Sequence, residues 1–329
     1  MLDDLSILIV TWNGDSLLSR CLDSLSRTCG KRPQIVVVDN AGLETTRALS
    51  ARYENVQYVR AEENLGFAGG NNLGLRFCAR KYVLLLNNDT VVHAEPFTQL
   101  MEYLEKHPQV AVVQGKMVLP HRGNVLDTCG FLLTSLGAPY ERLGWRPAQT
   151  CETPTATVYA AKGALMLIRR DVISAVGGLF YDHFFSFHEE IDFCHRVWLG
   201  GWEVAFVDAP AVDHYCGSSA SRLRRTDVAA RNIANRLFSY LTTFDGYGLS
   251  TVFIKHCCCH VALFVRALLC FRKEGVATYV NVVRNLWRRR GLILPTRRKV
   301  QAMRKVTDRE MFKRIMIKPS WSYYWSVSP

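Results

Sequence analysis

Short apolar, β-branched runs alternate with amphipathic stretches over the first 114 residues of the chain. The apolar runs have the length of buried strands, and the stretches between them carry apolar residues at helical spacing. The predicted strands are residues 5–11, 34–39, 56–59, 82–86 and 110–113. The predicted helices are residues 16–28, 44–52, 71–79 and 95–107. Buried strands that alternate with helices predict an α/β fold with a mostly parallel central sheet covered on both faces.

This alternation weakens after residue 114 and ends before the C-terminal third. Residues 115–160 have the pattern of connecting loops with short strands. After them we predict a strand at 164–168, helices at 171–176 and 191–199, and a strand at 204–207. The chain then becomes basic and amphipathic, which predicts an α/β domain over residues 1–235 and a region of basic amphipathic helices over residues 236–329.

The net charge of +12 is concentrated in this last region. Residues 220–329 hold 22 Lys and Arg against 5 Asp and Glu, a net +17, so the rest of the chain carries −5. Such asymmetry predicts an anionic partner for the last third, either phospholipid headgroups or nucleic acid.

The apolar faces of the tail favour a membrane and not a nucleic acid. Residues 261–271 and 276–287 carry Leu, Val, Phe and Trp at helical spacing, flanked by basic clusters. Long apolar faces suit an anionic membrane surface, whereas nucleic-acid binding favours exposed polar and stacking groups. Because charged and histidine side chains interrupt the longest apolar run, residues 249–271, we expect it to lie on the membrane and not to cross it.

The N-terminus and the cysteines indicate the compartment. Residues 1–6 carry two aspartates and no Lys or Arg ahead of the first apolar run, which is not the pattern of a secretory signal or a transit peptide. The 11 cysteines are scattered without metal-binding spacing, so we expect them to be reduced. The sequence therefore predicts a cytoplasmic protein, peripheral at the inner face of the cell membrane.

Polar residues follow the first two predicted strands. Thr11 and Asn13 stand at the end of the first strand, and Asp39 ends the second. Ligands bind at the carboxyl ends of the strands in such sheets, so these side chains are candidates for hydrogen bonds to the base or ribose of a nucleotide. The alternative is that they only cap the helices that follow.

A glycine-rich segment, Asn64-Leu65-Gly66-Phe67-Ala68-Gly69-Gly70-Asn71, opens the third predicted helix. Glycines permit close approach of the backbone to a ligand, and a helix N-terminus favours anions. The segment is either a ligand loop, with Asn64, Gly66 and Asn71 as contacts, or a tight structural turn. Its spacing and its place after the third strand differ from GxGxxG, which argues against a nicotinamide oxidoreductase.

The fourth predicted strand delivers Asn87, Asn88 and Asp89 to the same edge of the sheet. Burying a carboxylate there without a partner would be costly. Mg²⁺ or Mn²⁺ prefers oxygen ligands and can bridge two phosphates, which makes Asp89 the first candidate metal ligand. His214, after the last predicted strand, is the second candidate, because a site with Asp89 as its sole protein ligand would want another. The alternatives are a helix cap for Asp89 and a structural role for His214.

Three carboxylates, Glu189, Glu190 and Asp192, fall within four residues at the start of a predicted helix. A helix dipole commonly stabilises acids at this position. The segment before them is strongly aromatic, and a carboxylate against such a surface can have a raised pKa suited to proton abstraction. Glu190 is the candidate base, and Asp192 belongs to the acidic site or bonds Arg196 one turn later as a brace.

Taken in order, the segments TWN, VVDN, NLGFAGGN, LLNNDT, HEEIDFCHR and HYCGSS resemble the inverting family 2 glycosyltransferases, particularly the rhamnosyltransferase-like members. All six lie in the first 220 residues. The resemblance implies a GT-A fold and a single displacement that inverts the anomeric carbon. It implies that Thr11, Asn13 and Asp39 hold the nucleoside, and that Asn88-Asp89 ends the family's DxD motif.

The same resemblance implies the roles of the acids. Glu190 falls at the position of the family's base, and Glu189 at a position that contacts the acceptor. Asn87 replaces the first Asp of DxD, so the ion would depend on Asp89, His214 and the donor's phosphates.

The implied reaction moves a sugar from a nucleoside-diphosphate donor, dTDP-rhamnose or a UDP-sugar, to a hydroxyl of a glycan or lipid-linked acceptor in cell-surface polysaccharide synthesis. The leading alternative is a non-catalytic, membrane-associated protein that binds nucleotide sugars. No nucleic-acid partner is expected.

Overall fold

The computed structural model describes residues 1–216 and 225–318. Its strands are β1 (Leu5–Thr11), β2 (Gln34–Asp39), β3 (Val56–Arg60), β4 (Tyr82–Leu86), β5 (Thr90–Val92), β6 (Val110–Gln114), β7 (Met117–Leu119), β8 (Val125–Leu126), β9 (Phe131–Thr134), β10 (Pro139–Glu141), β11 (Ala156–Val158), β12 (Leu165–Arg169), β13 (Glu203–Phe206), β14 (Val212–His214) and β15 (Met316–Ile317). Its helices are α1 (Asp15–Cys29), α2 (Glu44–Ser50), α3 (Gly66–Leu75), α4 (Phe97–Lys106), α5 (Arg170–Ala175), α6 (Glu189–Leu199), α7 (Arg225–Thr243), α8 (Gly246–Gly248), α9 (Ile254–Leu269), α10 (Lys273–Ala302) and α11 (Asp308–Ile315).

The central sheet has eight strands in the order β11-β13-β6-β12-β4-β1-β2-β3. Strands β4, β1, β2 and β3 run parallel, as do β6 and β13, while β12 lies antiparallel between β4 and β6. Every predicted strand lies within one residue of an observed one. The predicted α/β fold with a mostly parallel sheet is confirmed.

The strands of the sheet are apolar on both faces because helices cover both faces. In β1, Leu8 contributes to one buried cluster, whereas Ile7 and Ile9 contribute to the other. This two-sided burial leaves the carboxyl ends of β1, β2 and β4 as the edge at which polar side chains can meet a ligand.

Helix α3 begins at Gly66, five residues earlier than predicted. Gly66 has φ +69°, a left-handed conformation that favours glycine, and the following Ala68 donates its backbone N–H to Phe185 O at 3.0 Å. Gly70 packs closely on β1, since a Cβ there would lie 2.7 Å from Val10 Cγ1. These glycines therefore set the entry and packing of the helix, while the role of the segment as a ligand loop stays a prediction.

The C-terminal helices pack on the same core as the sheet domain. Met311, Phe312 and Ile315 of α11 share a buried cluster with the apolar side chains of α6. Strand β15 pairs with β9, and the predicted boundary at residue 235 falls inside α7. The division into 1–235 and 236–329 stays a prediction, but its two parts are joined by a common core.

Side chains of α10 also complete the end of α7. Arg297 donates to the carbonyl oxygens of Leu241 and Phe244 at 2.8 and 2.7 Å, and Gln301 donates to Thr242 O at 3.1 Å. The last carbonyl groups of a helix lack partners within the helix, so α10 supplies hydrogen bonds that α7 cannot make itself.

Large apolar side chains are exposed on α9, on α10 and on the turn between them. Phe271 is 90% exposed, and Val283 and Trp287 are each 66% exposed. Other exposed apolar residues of these segments are Ile254, Val261, Val265, Leu268, Leu269, Val280, Leu292 and Leu294. We call this set, with Phe271, Val283 and Trp287, the apolar tail surface.

Within the described residues, one continuous helical stretch, Gly246–Leu269, is long and apolar enough to span a membrane. Its mean hydropathy is 1.7, and 17% of its apolar window is buried in the protein. Length and composition alone admit both a spanning helix and one that lies on the surface.

Candidate active site

A cavity of about 490 Å³ opens at the carboxyl ends of β1 and β4. The start of α3, the segment before α6 and the end of β14 complete its walls. Eight of the predicted site residues line it: Thr11, Asn64, Gly66, Asn88, Asp89, Glu189, Glu190 and His214. Residues that are far apart in the sequence therefore meet in one site.

Three of the predicted nucleotide contacts lie outside the cavity lining. Asn13 is exposed, and Asn71 donates its amide to Phe67 O inside α3. Asp39 is fully buried, and its carboxylate accepts hydrogen bonds from the backbone of Ala41 and from Tyr58 at 2.9 and 3.0 Å. Asp39 thus caps the loop after β2, the structural alternative, and its contact with a base stays a prediction.

The polar residues that do meet at this edge are held by one another. Asn88 donates to Thr11 Oγ1 at 2.9 Å, which joins the end of β4 to the end of β1. Asn40 after β2 donates to Gly66 O at 2.8 Å and so fixes the start of α3. Asn64 accepts from the backbone N–H of Gly66 at 2.9 Å. This wall of the cavity is consequently rigid.

Strand pairing brings the two candidate metal ligands together. Strand β14 is antiparallel to β5, with His214 opposite Thr90, so the imidazole reaches the preceding Asp89. His214 Nε2 lies 3.3 Å from Asp89 Oδ1, and Asn87 Nδ2 lies 3.4 Å from the same ring nitrogen. The remaining residues of the HYCGSS segment, Gly217 to Ser219, lie outside the described residues.

Asp127 orients the imidazole from behind. Its Oδ2 lies 2.7 Å from His214 Nδ1, and its Oδ1 lies 2.5 Å from Lys162 Nζ. A carboxylate on Nδ1 fixes the tautomer in which Nε2 carries the free lone pair, an arrangement common behind metal-bound histidines. Cys216 Sγ lies 3.0 Å from the same Nδ1. We call Asp89, Asp127, Lys162, His214 and Cys216 the His214 cluster.

The charges of the His214 cluster shift one another. Burial lowers the pKa of His214, but the neighbouring carboxylates of Asp127 and Asp89 outweigh it and raise that pKa to about 11. Burial raises the pKa of Asp127, but His214 and Lys162 bring it below its usual value. The carboxylates thus demand a positive charge between them, which either a proton or a cation can supply.

The cluster fits a divalent cation. Among the described residues, Asp89 Oδ1 is buried without a hydrogen-bond partner, and it lies 3.3 Å from His214 Nε2. An oxygen and an imidazole nitrogen at this separation can both turn to a shared ion. Asp127, His214 and Cys216 also place ligand atoms within 4.8 Å of one another. Because Asp127 is already bound to His214 Nδ1 and Lys162, we assign it the orienting role.

The glutamates enter the cavity from a strained segment, residues 185–190, which we call the glutamate loop. Phe185, Phe187 and His188 have positive φ values of 61°, 73° and 75°, which side-chain-bearing residues rarely adopt. Such conformations persist only where the surroundings impose them, and they cluster at functional sites.

Both glutamates are desolvated. Burial raises the pKa of Glu189 well above its usual value, and the charge of Glu190 raises it further. Burial also raises the pKa of Glu190. The Oε2 atom of each side chain is buried without a hydrogen-bond partner among residues 1–216 and 225–318, so each carboxylate can accept a proton from a ligand.

Asp192 does not belong to this acidic site. Its Oδ2 pairs with Arg196 Nε at 2.9 Å, and both side chains are fully buried away from the cavity lining. Arg196 Nη1 donates in turn to Val176 O and Gly178 O, each at 2.7 Å. The prediction that Asp192 is catalytic is corrected: one helical turn separates it from Arg196, and it forms the structural brace instead.

Comparison with known proteins decides the family. A model of "Glycosyltransferase like family 2" matches residues 3–232. The chain belongs to this family. Family and fold are those that the six motifs predicted.

Two similar glycosyltransferases illustrate the range of relatives. The low-salt glycan biosynthesis hexosyltransferase Agl10 of Haloferax volcanii is 28% identical over 202 residues, which cover 60% of this chain and 62% of that protein. The N-acetylglucosaminyl-diphospho-decaprenol L-rhamnosyltransferase of Mycobacterium tuberculosis is 23% identical over 261 residues, 72% of this chain and 84% of that one. The match thus spans less than two thirds of the Haloferax protein.

Solved structures confirm the GT-A fold. Staphylococcus aureus TarS residues 1–349 in complex with UDP-GlcNAc superposes with a TM-score of 0.60 at 14% identity, covering 91% of this chain and 89% of that one. The mannosyltransferase PcManGT of Pyrobaculum calidifontis, in complex with GDP-Man and Mn²⁺, gives 0.52 at 15% identity, covering 86% and 87%.

The sequence did not reveal three residues that complete this family 2 site. Asp127, Lys162 and Cys216 were not predicted, although Lys162 and Cys216 line the cavity. Cys216 lies inside a recognised motif, but Asp127 and Lys162 lie in irregular segments around residues 115–163. Only the tertiary fold brings them to His214.

Proposed function

We propose that this family 2 protein is an inverting glycosyltransferase that moves a sugar from a nucleoside-diphosphate donor to a hydroxyl of a glycan or lipid-linked acceptor in cell-surface polysaccharide synthesis. The observation that carries the proposal is that the candidate metal ligands, Asp89 and His214, and the candidate base, Glu190, line one cavity. Binding of a nucleotide sugar alone does not require the desolvated carboxylate of Glu190 in this cavity, whereas proton abstraction does.

The proposed donor is dTDP-rhamnose or a UDP-sugar. The Mycobacterium relative is named as an L-rhamnosyltransferase acting on a diphospho-decaprenol lipid, and the TarS structure holds UDP-GlcNAc. These names support a nucleotide sugar as donor and a glycan or lipid-linked saccharide as acceptor.

In the proposed reaction, the carboxylate of Glu190 takes the proton of an acceptor hydroxyl. The hydroxyl oxygen forms a bond to the anomeric carbon while the bond from that carbon to the diphosphate oxygen breaks. The bonding electrons leave with the nucleoside diphosphate, and attack opposite the leaving group inverts the anomeric carbon. Glu189 would contact the acceptor beside the base. Held in one cavity, acceptor and donor react without the entropic cost of a bimolecular encounter.

A Mg²⁺ or Mn²⁺ ion held by Asp89 and His214 would neutralise the negative charge of the departing diphosphate. Around it, Asp127 holds the imidazole of His214 in the tautomer that leaves Nε2 free, and Lys162 neutralises Asp127. The start of α3, at Gly66, adds the positive end of a helix dipole to this cavity wall.

We also propose that the protein is cytoplasmic and docks on the inner face of the cell membrane through its apolar tail surface. Trp287 and Val283 on α10 are exposed beside the basic side chains Arg284, Arg288 and Arg290. Exposed apolar side chains flanked by Lys and Arg suit a membrane that carries anionic lipids. Docking there would bring the cavity to a lipid-linked acceptor.

The activity is tested with a panel of dTDP-, UDP- and GDP-sugars. With Mn²⁺ or Mg²⁺ present, at least one donor should raise the melting temperature and release nucleoside diphosphate, and excess chelator should abolish the release. If every donor stabilised the protein without turnover in the presence of glycan and lipid-linked acceptors, the protein would be a binding protein and not an enzyme. Full turnover in excess chelator would contradict the proposed metal.

Membrane docking is tested with point variants, because truncation at residue 244 would remove the hydrogen bonds and core contacts that α10 and α11 supply. Trp287→Ser should lower affinity for phosphatidylglycerol vesicles about tenfold. The loss arises because the variant no longer buries a large apolar side chain in the membrane. Trp145→Ser is the matched control, since Trp145 is 58% exposed and lies outside the tail. Equal loss in both variants, or no binding of the wild type at low salt, would contradict this surface.

A further inference from the structure

The glutamate loop needs an external support. Its three positive-φ residues, Phe185, Phe187 and His188, hold a conformation that the chain would not keep on its own. Within the part of the chain that the structure describes, the ring nitrogens of His188 have no hydrogen-bond partner, so that side chain does not anchor the loop through polar contacts. Ser186 Oγ accepts from Arg231 Nη1 at 3.1 Å, and carbonyl oxygens of the loop supply further points of attachment.

Asn235 of α7 binds those carbonyl oxygens. Its Nδ2 lies 2.7 Å from Phe187 O and 3.2 Å from Ser186 O within the loop, and 3.1 Å from the carbonyl oxygen of Phe184, the residue before the loop. Asn235 is fully buried, so these bonds do not compete with water. One amide group thus ties together the residues immediately before Glu189.

Arg289 of α10 fixes which way that amide faces. Its Nη1 donates to Asn235 Oδ1 at 2.7 Å, and its Nε donates to Asn285 O within α10 at 3.1 Å. A guanidinium has only donors, so it can bind the oxygen of the asparagine but not its nitrogen. Arg289 therefore forces the Nδ2 group toward the loop.

Arg289 occupies this position at an energetic disadvantage. It is 8% exposed, and among the described residues no carboxylate lies within 4.0 Å of its guanidinium. Burial and, to a smaller extent, the charge of Arg231 lower the pKa of Arg289 to about 10. A buried cation without a counter-ion weakens a fold, so stability alone does not account for an arginine here.

We propose that Arg289 and Asn235 form a clamp through which α10 holds the glutamate loop, which makes Arg289 a positioning residue for Glu189 and Glu190. The inference rests on the proposed function for its effect on turnover. It extends that function by making the C-terminal region part of the acceptor side of the active site, in addition to its proposed role in membrane docking.

The clamp is tested in the full-length chain with Arg289→Met and with Arg288→Met as matched control. Arg288 is the preceding residue of α10, is exposed, and loses the same charge and length on substitution. Two measurements are made on each variant. Hydrogen–deuterium exchange reports protection of backbone amides 184–188, and kinetics with the best donor of the panel report kcat and donor KM.

In Arg289→Met, the backbone amides of residues 184–188 should exchange hydrogen for deuterium faster than in the wild type. The same variant should have a kcat about 10- to 100-fold lower than the wild type and a donor KM within about twofold of it. Arg288→Met should match the wild type in both. Arg289→Lys should recover part of the kcat, since an ammonium can still donate to Asn235 Oδ1. Asn235→Asp keeps the bond to Arg289 but loses the N–H donors to the loop. Its amides at residues 184–188 should therefore exchange as fast as those of Arg289→Met.

Unchanged exchange and unchanged kcat in Arg289→Met would overturn the clamp, as would equal losses in Arg288→Met. A loss of kcat that Arg289→Lys does not recover, accompanied by an equal loss of donor binding, would indicate general destabilisation and would also overturn it. If the wild type turned over no donor, the proposed function would fail, while the exchange comparison would still decide whether the clamp exists.

Discussion

The two acidic parts of the cavity are built in opposite ways. In the His214 cluster, Asp127 is paired with both His214 and Lys162, at 2.7 and 2.5 Å. In the glutamate loop, Glu189 and Glu190 each have a buried Oε2 atom that finds no hydrogen-bond partner among the described residues. The protein itself therefore supplies the partners of the Asp127 carboxylate, whereas the glutamates have carboxylate oxygens that can bind a ligand.

This difference matches the two kinds of charge in a displacement reaction. Negative charge that builds up on a leaving diphosphate is stabilised best by positive groups held rigidly before the reaction begins. A base must instead attract a proton, and burial without a partner raises the pKa of a carboxylate and so favours its protonated form. In the His214 cluster, paired carboxylates hold positive charge in place. In the glutamate loop, desolvated carboxylates can accept a proton.

Replacing the base should have the largest effect. Glu190→Gln keeps the shape of the side chain but cannot accept a proton, so turnover should fall by roughly 10² to 10⁴ while donor binding stays nearly intact. Because burial raises the pKa of Glu190, wild-type turnover should decline as pH falls through that raised pKa. Steady-state kinetics of Glu190→Gln and Glu189→Gln check the assignment. Near-normal turnover in Glu190→Gln and not in Glu189→Gln would reverse the two roles.

Removing the carboxylate of Asp127 from the His214 cluster should lower turnover by less, and added metal should reverse the loss. Asp127→Asn removes the charge behind His214 but leaves Asp89 and His214 in place, so Mn²⁺ affinity should fall about 10- to 100-fold. Asp89→Ala removes a ligand itself, so excess metal should not restore its activity. Mn²⁺ titration followed by electron paramagnetic resonance distinguishes the two variants. Equal metal affinity in Asp127→Asn and wild type would contradict the orienting role.

Substitutions in the glutamate loop and in the His214 cluster should change the Tm of the protein in opposite directions. The pKa of Glu189 is raised, so its stabilising contribution is lost as pH rises through that pKa. The pKa of Asp127 is lowered, so its contribution is present above the unfolded value and is lost only as pH falls through the folded one. In chelator at pH 8, Glu189→Gln should raise Tm and Asp127→Asn should lower it, each by about 2–4 °C.

Calorimetry between pH 8 and pH 4.5 checks this pair. The gain in Glu189→Gln should shrink toward pH 4.5, because the wild-type glutamate becomes protonated in both states. The loss in Asp127→Asn should persist over the same range. A loss of Tm in both variants at pH 8 would mean that the glutamate is as well paired as the aspartate.

Local signals in the sequence were sufficient for seven of the eight strands of the central sheet and for two of the five residues of the His214 cluster, Asp89 and His214. The run at residues 82–86 is apolar throughout because both faces of β4 are buried, and this predicted both the strand and the place of Asp89 after it. His214 was predicted as a possible ligand, although its strand was not. Antiparallel pairing of β14 with β5 is a long-range contact that no local pattern encodes.

Other features depended on tertiary context. Helix α3 begins early because Gly66 meets Phe185, which is 119 positions further along the chain. Asp192 has the same local setting as Glu189 and Glu190, and only its direction on the helix separates the brace from the site. The support of the glutamate loop comes from Asn235 and Arg289, which lie in segments that the sequence assigned to different domains.

One experiment tests the contrast between the two parts of the cavity most directly: turnover of Glu190→Gln and Asp127→Asn measured against Mn²⁺ concentration. Both variants should be slow at low Mn²⁺. Excess Mn²⁺ should return Asp127→Asn toward wild-type turnover and leave Glu190→Gln at least about 100-fold slower, because an ion can replace lost charge around His214 but not a lost proton acceptor. Recovery of Glu190→Gln by Mn²⁺, or failure of Asp127→Asn to recover, would contradict the account.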